Sequence, residues 1–504
     1  MKLHQLFSNL NGAKTSTADL AILEQDVASI CFDARQVKPN SVFVAIKGSE
    51  NDGHAFIKDA VFNGAIALVV ENSSNVPSDF PHFVLEVSDT REFLAVLAAR
   101  FYNFPSQELF CFGVTGTNGK TSITYILEHI MSYYKKTLGV IGTVNHRVGQ
   151  KIWSTQMAMQ MTTPDAVTLQ SRLRDFINEG ATAVALEVSS HAIEQKRIQE
   201  VHFNTVIFTN LTLDHLDYHK SMQKYFEAKQ KLFTEMMWST IKNPKFAVIN
   251  IDDSYGRKLT VADDVFAWTY GESESDFQFK ILNMNFNETE FEIITAVETI
   301  KSTLPVCGEH TIYNIVASCV AALSASISLE QSLKALNTFS GVPGRLQKVE
   351  SQTKKTVFID YAHTPDALEN VLSSIQKIRS SSKSNAKIIC VFGCGGDRDK
   401  TKRPLMGEIA FRLSDYVIVT SDNPRTENPQ SIIEDITHGL AADHTSDYRK
   451  YIIEQDRELA IQKAINRAQE GDVVLIAGKG HEDYQIIGSE KKPFSDYEVA
   501  KKYL

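Results

Sequence analysis

The feature that most constrains the fold is a strand–loop–helix pattern in the first half of the chain. An apolar run over residues 109–114 is followed by a glycine-containing turn and then by a helical pattern over residues 123–134. The turn and the start of the helix have the sequence Gly116-Thr117-Asn118-Gly119-Lys120-Thr121-Ser122. In such a unit, backbone N–H groups and the helix N-terminus face an anion, the lysine adds a positive charge and a hydroxyl can hold Mg²⁺. The pattern predicts a nucleotide site, although Val114 occupies the position of the first Walker glycine.

The bulk properties are those of an ordinary globular protein. The 504 residues are enough for about three domains, and 43% of them are hydrophobic and 22% charged. The net charge of −9 and the lack of a long basic run argue against a nucleic-acid partner. No apolar run approaches the ~20 residues of a membrane span, and the N-terminus lacks an apolar signal segment. Because the six cysteines are scattered, we expect reduced thiols and a cytoplasmic location.

Strand-like and helix-like patterns divide the chain into three parts. Residues 41–46 and 65–70 are strand-like and residues 55–63 helix-like, which predicts a small α/β domain over residues 1–106. From residue 107, strands and helices alternate as in a mostly parallel sheet covered on both faces. The predicted strands there are 109–114, 137–141, 182–188, 204–209 and 245–250, with helices such as 165–179 and 222–237, an antiparallel subregion between 250 and 305, and a helix at 315–324. Residues 344–504 repeat the alternation, so we predict an α/β protein with domains 1–106, 107–343 and 344–504.

Polar side chains follow two predicted strands of the middle domain. One strand ends in Glu187-Val188-Ser189-Ser190-His191, and the other is followed by Asp214, His215, Asp217 and His219. Each histidine alone is more often a structural residue, but ligands of parallel sheets bind at the carboxyl ends of strands. Beside a phosphate loop, these groups supply the few hard ligands that Mg²⁺ needs when water and phosphate complete its octahedron. We therefore predict a Mg²⁺–nucleotide site.

Four polar or glycine-rich loops follow the strands predicted at 357–360, 387–392, 416–420 and 473–477 in the last domain. They are Asp360-Tyr361-Ala362-His363-Thr364-Pro365, Gly393-Cys394-Gly395-Gly396-Asp397-Arg398-Asp399, Ser421-Asp422-Asn423-Pro424-Arg425 and Gly478-Lys479-Gly480-His481-Glu482. Four such loops at matching strand ends predict a binding edge of a doubly wound sheet. Since Arg398 and Arg425 accompany Glu482, the edge suits a ligand with carboxylate and ammonium groups, such as an amino acid.

The motifs together resemble the Mur ligases, the ATP-dependent amino-acid-adding enzymes of peptidoglycan synthesis. The matching motifs are Gly116 to Thr121, Glu187 to His191, Thr209-Asn210-Leu211 with Asp214 to Asp217, Gly344-Arg345 and Asp360 to His363. The resemblance covers essentially the whole chain. It implies a small N-terminal uridine-binding α/β domain, a central P-loop-type ATPase domain and a Rossmann-like doubly wound C-terminal domain.

The C-terminal loops resemble those of family members that add meso-2,6-diaminopimelate. The lysine-adding members depart from Asp-Asn-Pro-Arg, so Arg425 is the most discriminating residue. The implied reaction joins this amino acid to UDP-N-acetylmuramoyl-L-alanyl-D-glutamate through an acyl phosphate made with ATP and Mg²⁺, and a monomer is expected. A lysine-adding ligase, folylpoly-γ-glutamate synthase and a non-catalytic nucleotide-binding module remain alternatives. The folate enzyme is disfavoured by the full N-terminal domain and by the Asp-Asn-Pro-Arg motif.

The resemblance also implies individual roles. Lys120, Lys229 and His215 would be catalytic, and Thr121, Glu187, His215 and Lys229 would hold Mg²⁺. ATP would be bound by the residues of the loop from Gly116 to Ser122 together with Asn314, Arg345, Asp360 and His363. The UDP-linked dipeptide would be bound by Thr162, Thr163, Ser189, Gln195 and Arg197. Diaminopimelate would be bound by Arg398, Asn423, Pro424, Arg425, Gly478 and Glu482.

Two positions carry a further expectation. Lys229 aligns with a lysine that the family carries as a carbamate, which is anionic and can ligate magnesium, whereas an ammonium would repel the metal. From the residues alone, a plain surface lysine on the predicted 222–237 helix is the simpler interpretation. Asp33-Ala34-Arg35 departs from the family's Asp-Ser-Arg, so a serine contact to the UDP group is absent at Ala34.

Overall fold

A computed structural model of the chain describes residues 1–504 except 9, 11–13, 16–19, 49–50, 79, 154–160, 352, 383–384 and 441–449. The chain divides into two compact units, Met1–Phe277 with Ala317–Ser332 and Gln278–Val316 with Leu333–Leu504. Within the described residues, no helix combines the length and hydrophobicity needed to cross a membrane. All six cysteines are free and buried.

The first unit begins with a five-stranded sheet in the order β1-β5-β4-β3-β2. Its strands are β1 (Lys14–Thr15), β2 (Ser29–Cys31), β3 (Ser41–Val44), β4 (Ala65–Val70) and β5 (Phe83–Glu86), with helices α1 (Leu3–Leu6), α2 (Leu20–Leu23), α3 (Ile57–Phe62), α4 (Thr90–Phe101) and α5 (Pro105–Glu108). Strands β2 to β5 pair in parallel and β1 is antiparallel. All six residues of β4 are buried, as expected for a parallel strand covered on both faces.

The larger sheet of the first unit carries the phosphate loop. Its strands are β6 (Phe110–Thr115), β7 (Leu138–Ile141), β8 (His146–Val148), β9 (Lys151–Trp153), β10 (Ala183–Glu187), β11 (Thr205–Phe208), β12 (Lys245–Asn250) and β13 (Val265–Gly271). They lie in the order β13-β12-β11-β6-β10-β7-β8-β9, parallel except at the β8–β9 edge. The helices are α6 (Lys120–Tyr133), α7 (Ala166–Asn178), α8 (Ser190–Glu194), α9 (Leu216–His219), α10 (Met222–Lys231) and α11 (Met237–Ser239). Because β6 is central, its loop lies between the carboxyl ends of β10 and β11.

The second unit contains an antiparallel meander and a sheet that is parallel except for its first, antiparallel strand. The meander strands are β14 (Phe277–Met284), β15 (Thr289–Ile294) and β16 (Thr299–Leu304), and helices α12 (Glu309–Ser324) and α13 (Leu329–Leu336) have residues in both units. The parallel sheet has β17 (Gln347–Lys348), β18 (Thr356–Asp360), β19 (Ile388–Phe392), β20 (Tyr416–Val419), β21 (Tyr451–Ile453) and β22 (Val473–Ala477), and a hairpin of β23 (Tyr484–Ile487) and β24 (Glu490–Pro493) follows. Its helices are α14 (Pro365–Ser381), α15 (Lys402–Leu413), α16 (Pro429–Leu440), α17 (Arg457–Arg467) and α18 (Asp496–Tyr503). In the order β17-β18-β22-β19-β20-β21, the four strands that precede the polar loops are immediate neighbours.

The predicted α/β class and mostly parallel sheets are confirmed, and the predicted antiparallel subregion is the β14–β16 meander. The helix predicted from residue 123 begins at Lys120, directly after Gly119, whose φ is 90°. The helix predicted at 315–324 begins earlier, at Glu309. The helix predicted over 222–237 is interrupted, since α10 gives way to a wider π-helical turn over Leu232–Met236. The domain boundaries at 106 and 343 remain predictions.

A buried ion pair joins the last two helices of the second unit. The guanidinium of Arg457 donates from Nε and Nη2 to the two carboxylate oxygens of Asp496, at 2.7 Å each, and both side chains are fully buried. Arg457 also donates to the carbonyl oxygens of Ala477 at 2.9 Å and Ser421 at 3.4 Å. Because Ala477 ends β22 and Ser421 follows β20, one buried cation fixes the start of two of the four loops.

We predict that Asp496→Asn destabilises the second unit strongly, since it leaves the Arg457 guanidinium buried without its counter-charge. Breaking one side of a buried ion pair costs about 3–5 kcal/mol. The matched control is Lys502→Ala, because Lys502 and Glu458 form an exposed ion pair, 2.7 Å long, between the same two helices. Urea denaturation should show a lower unfolding midpoint for Asp496→Asn and no resolvable change for Lys502→Ala. Equal shifts in the two variants would contradict the assignment.

Candidate active site

The loop after β6 is held open by its own backbone and by the loop after β11. Gly116 has a φ of 143°, and a Cβ at this position would lie 1.9 Å from Oγ1 of Thr209, so only glycine fits here. The N–H of Thr117 donates to the carbonyl of Asn210 at 2.9 Å. The N–H of Asn118 donates to Oδ1 of Asn210, also at 2.9 Å. The Thr209 hydroxyl donates to the Asn118 carbonyl at 2.6 Å. These bonds fix a concave loop at the N-terminus of α6, which is the geometry that binds phosphate.

Two lysine ammonium groups converge on one carbonyl oxygen of this loop. Nζ of Lys120 donates to the carbonyls of Gly116 and Thr117 at 2.8 Å each. Nζ of Lys229 donates to the same Gly116 carbonyl at 3.1 Å and lies 3.4 Å from Oγ1 of Thr115. Burial, reinforced by the charge of Lys120, holds the pKa of Lys229 well below its ordinary value. Lys229 is only 1% exposed, so the simpler interpretation of a plain surface lysine is wrong.

Glu187, at the end of β10, lies in a network of hydroxyl groups. Its carboxylate accepts hydrogen bonds from the N–H and the hydroxyl of Thr143, at 3.1 and 3.0 Å. Oγ1 of Thr143 also lies 3.2 Å from Oγ1 of Thr162, and the Thr163 hydroxyl donates to the carbonyl of Glu187 at 2.7 Å. The N–H of Ser189 donates to Oγ1 of Thr163 at 3.0 Å. The structure thus brings the predicted metal ligand Glu187 together with three predicted substrate residues.

The remaining two predicted substrate residues connect to this network. Nη1 of Arg197 donates to the carbonyl of Thr163 at 2.8 Å, and Nη2 donates to Oε1 of Gln195 at 2.6 Å. Burial lowers the pKa of Arg197. Its guanidinium directs two donors at these two neighbours. Gln195 and Arg197 also line a cavity of about 840 Å³ that reaches Ala34 and Arg35 in the N-terminal sheet region. This cavity is large enough for a substrate bearing a nucleotide group.

His215 lies within a cluster of aromatic rings. Its ring centroid is 4.9 Å from that of His191 and 5.9 Å from that of Tyr225. Its Nε2 lies 3.4 Å from Oδ2 of Asp214. Burial lowers the pKa of His215, although the Asp214 carboxylate opposes this shift, and the lowered pKa favours the neutral imidazole that can ligate a metal.

The predicted Mg²⁺ ligands fit a metal carried in by a nucleotide. Among the described residues, no group of three or more His, Cys, Asp and Glu side chains is placed to hold a metal alone. Mg²⁺ is characteristically held by one or two carboxylates plus phosphate oxygens and water. Glu187 at the end of β10 and the buried Thr121 in the first turn of α6 supply oxygen ligands of this kind. The buried amine of Lys229 fits the metal only in an uncharged or anionic form.

In the second unit, three of the predicted nucleotide residues surround Tyr361. The carboxylate of Asp360 accepts hydrogen bonds from the N–H groups of Leu346 at 2.7 Å and Ala362 at 2.9 Å, and burial raises its pKa. The guanidinium of Arg345 lies 5.1 Å from the centroid of the Tyr361 ring. Nδ1 of His363 lies 2.8 Å from the Tyr361 carbonyl, which leaves Nε2 facing outward. The fourth, Asn314, lies on α12.

The predicted diaminopimelate residues lie in the loops after β19, β20 and β22. Nδ2 of Asn423 donates to Oε2 of Glu482 at 2.9 Å. Nη1 of Arg425 donates to the Gly396 carbonyl at 2.7 Å, and the N–H of Gly396 donates to the Asn423 carbonyl at 2.9 Å. Arg398 is exposed beside them. Two further predicted residues take part through their backbone: Pro424, whose carbonyl would be 1.9 Å from a Cβ at Gly396, and Gly478, which has a φ of 112°.

Sequence reasoning missed three residues that hold these groups in place: Thr143, Arg457 and Lys479. Thr143 follows β7, so its position at a strand end was a usable signal. Lys479 lies inside a motif that the sequence analysis identified, but nothing in the local pattern indicated that its side chain is fully buried. Arg457 begins a helix, and the residue that balances its buried charge, Asp496, is distant in the sequence.

Comparison with known proteins places the chain in a family. Three family models match: "Mur ligase family, catalytic domain" at residues 26–102, "Mur ligase middle domain" at 114–322 and "Mur ligase, glutamate ligase domain" at 344–480. The UDP-N-acetylmuramoyl-L-alanyl-D-glutamate--2,6-diaminopimelate ligase of Aquifex aeolicus is 43% identical over 499 residues, covering 96% of this chain and 95% of that protein. The protein of the same name from Bacillus cereus is 39% identical over 506 residues, covering 100% and 98%. A solved structure of a protein with this name is 30% identical with a TM-score of 0.72, covering 100% of this chain and 98% of that one.

The chain is an ATP-dependent ligase of the three-domain α/β type and belongs to the Mur ligase family. The family resemblance predicted from the motifs is confirmed. The roles of the individual residues remain predictions.

Proposed function

We propose that this protein adds meso-2,6-diaminopimelate to the D-glutamate of UDP-N-acetylmuramoyl-L-alanyl-D-glutamate, with ATP as the energy source. The relatives described above carry this activity in their names and match over nearly the whole chain. The observation in the structure that supports the proposal most directly is the placement of Arg425. Its guanidinium is held against the Gly396 carbonyl, next to the Asn423–Glu482 pair, with donors left for a ligand carboxylate.

Diaminopimelate has two amino-acid ends, and the loops after β19, β20 and β22 match the chemistry of one end. A guanidinium binds a carboxylate through two parallel hydrogen bonds, as Arg425 and the exposed Arg398 can do. Oε2 of Glu482 is occupied by Asn423 and Lys479, which leaves Oε1 for the ammonium of the same end. The amine at the other end is then the nucleophile. Lysine has no carboxylate at its side-chain end, so a site built around these arginines discriminates against it.

The phosphate loop and its neighbours activate the acceptor carboxylate. Magnesium ATP, when bound, supplies the phosphoryl group that makes the carboxylate an acyl phosphate, which the amine then attacks with loss of phosphate. The N–H groups of the loop bind the phosphates, and Lys120 exchanges its two carbonyl partners for phosphate oxygens. Thr121, Glu187 and His215 hold the metal. Arg197, Gln195 and the threonines near Glu187 orient the UDP-linked acceptor.

Lys229 fits this site as a carbamate. Burial lowers the pKa of the Lys229 amine and so favours its neutral form, and a neutral amine attacks CO₂ to give an N-carboxylate with release of one proton. The product is an anion beside Gly116 and Thr115, where a second positive charge would oppose the metal. This explains why the fold buries a lysine in a position that faces Lys120.

A cytoplasmic location is also proposed. Six free cysteines that are all buried suit a reducing compartment.

The first prediction of this proposal concerns the amino acid. Phosphate release with ATP and the UDP-linked dipeptide should depend on meso-diaminopimelate, with lysine and ornithine much poorer. Arg425→Ala should lower kcat/KM for diaminopimelate by about 10–100-fold, since a charged hydrogen-bond partner is lost, and should change the value for lysine far less. Arg412→Ala, which removes an exposed arginine paired with Glu369, is the matched control.

Two outcomes would contradict the proposal. Equal use of lysine by the wild type would favour the lysine-adding form, and phosphate release with a folate acceptor would favour the folylpoly-γ-glutamate synthase alternative. An Arg425→Ala variant that behaves like the control would remove Arg425 from the site.

The second prediction concerns Lys229. Protein equilibrated with ¹³C-bicarbonate should show one carbamate carbon resonance that is absent from Lys229→Ala. The resonance should persist in Lys245→Ala, because Lys245 is also buried but donates to the Met237 carbonyl at 2.9 Å and pairs with Asp264 at 2.6 Å. A wild-type spectrum without the resonance, or a resonance that survives in Lys229→Ala, would show that Lys229 is an unmodified amine.

A further inference from the structure

A second fully buried lysine lies beneath the amino-acid loops. Lys479 follows β22, and its side chain has no exposed surface. Its ammonium lies between the loop after β20 and the loop after β22, with the ring centroid of Tyr484 at 5.6 Å. A buried lysine is costly unless its charge and its donors are matched, so its partners indicate what it does.

The three N–H donors of the Lys479 ammonium have three acceptors. They are Oδ1 of Asn423 at 3.1 Å, Oε2 of Glu482 at 3.1 Å and Oδ1 of Asp422 at 3.4 Å. An ammonium has three donors and no acceptor, so none is left for a ligand. Lys479 therefore does not contact the amino acid itself, and any effect on binding must pass through these neighbours.

The first effect is on the orientation of the Asn423 amide. Oδ1 of Asn423 accepts from Lys479 and also from the N–H of Ile486 at 2.9 Å. Because Oδ1 accepts both of these hydrogen bonds, the NH₂ group of the amide points away from Lys479 and Ile486 and donates to Oε2 of Glu482. The two ends of an amide have nearly the same shape, so the hydrogen bonds decide which end faces the site. Without Lys479, only the Ile486 N–H would hold this orientation.

The second effect is on Glu482. Lys479 and Asn423 both donate to Oε2, so the carboxylate is held with Oε1 directed away from them. The ammonium also separates the carboxylates of Asp422 and Glu482, which would otherwise repel each other in a poorly solvated place. Lys479 thus fixes both the charge balance and the geometry of two residues in the proposed amino-acid site.

We infer that Lys479 is a positioning residue for the amino-acid substrate: it holds Glu482, directly and through the Asn423 amide, so that Oε1 of Glu482 accepts from the substrate's ammonium group. The inference rests on the proposed function, because it assigns Lys479 to the site that binds diaminopimelate. It concerns neither the nucleotide nor the UDP-linked acceptor.

The test replaces Lys479 by methionine, which keeps the apolar stem and removes the charge. KM for diaminopimelate should rise at least about tenfold, the effect of losing a charged hydrogen bond, while KM for ATP and for the UDP-linked dipeptide stay within about twofold. The control is Lys491→Met, because Lys491 is an exposed lysine of β24 whose Nζ lies 3.6 Å from the centroid of the same Tyr484 ring. This control removes a nearby positive charge without touching Asn423 or Glu482 and should leave KM unchanged.

A double-mutant cycle distinguishes positioning from a general loss of structure. If Lys479 acts through Glu482, then adding Lys479→Met to Glu482→Gln should raise KM for diaminopimelate by at most about threefold more. The Glu482→Gln background also removes one of the two carboxylates that Lys479 pairs with, so the double variant is under less electrostatic strain than Lys479→Met alone. A further tenfold rise in that background, or an unchanged KM in folded Lys479→Met, would overturn the inference. If the wild type itself does not use diaminopimelate, it is the proposed function that fails.

Discussion

The carbonyl oxygen of Gly116 is the point on which the nucleotide site depends. It accepts hydrogen bonds from both Lys120 and Lys229, so two cationic side chains meet at one backbone oxygen inside the fold. Two positive charges at one oxygen repel each other, which is costly in free energy unless one lysine is uncharged or an anion binds beside them. Burial lowers the pKa of Lys229 and so favours its uncharged form, and a bound triphosphate would supply the anion. The resting loop is therefore already arranged for a negatively charged ligand.

The loops of the proposed amino-acid site use buried positive charge in a different way. Arg457 fixes the carbonyls that begin two of the loops, and Lys479 fixes the side chains that those loops carry. Arg403, also fully buried, donates to the Gly395 carbonyl and pairs with Glu427, whose pKa it lowers to about 2. The three cations hold these loops above the hydrophobic core with directional bonds, which is what selective recognition of a small zwitterion requires.

Much of this could be predicted from the sequence, because strand ends and glycine patterns are local signals. The strands predicted at 65–70, 245–250 and 473–477 coincide with β4, β12 and β22. Lys229 could have been recognised as buried, since it shares a helical face with Tyr225 and Phe226. The burial of Lys479 and Arg457 could not, because it depends on partners from other elements that only the tertiary fold brings together. The same is true of the hydrogen bonds from Thr143 to Glu187.

The central claim is that ATP activates a carboxylate of the acceptor as an acyl phosphate before the amine attacks. The most direct measurement uses UDP-linked dipeptide labelled with ¹⁸O in the carboxylate of its D-glutamate that forms the new bond, incubated with ATP, Mg²⁺ and diaminopimelate. Phosphate released during turnover should carry one ¹⁸O atom from that carboxylate. Turnover that releases only unlabelled phosphate would contradict the account.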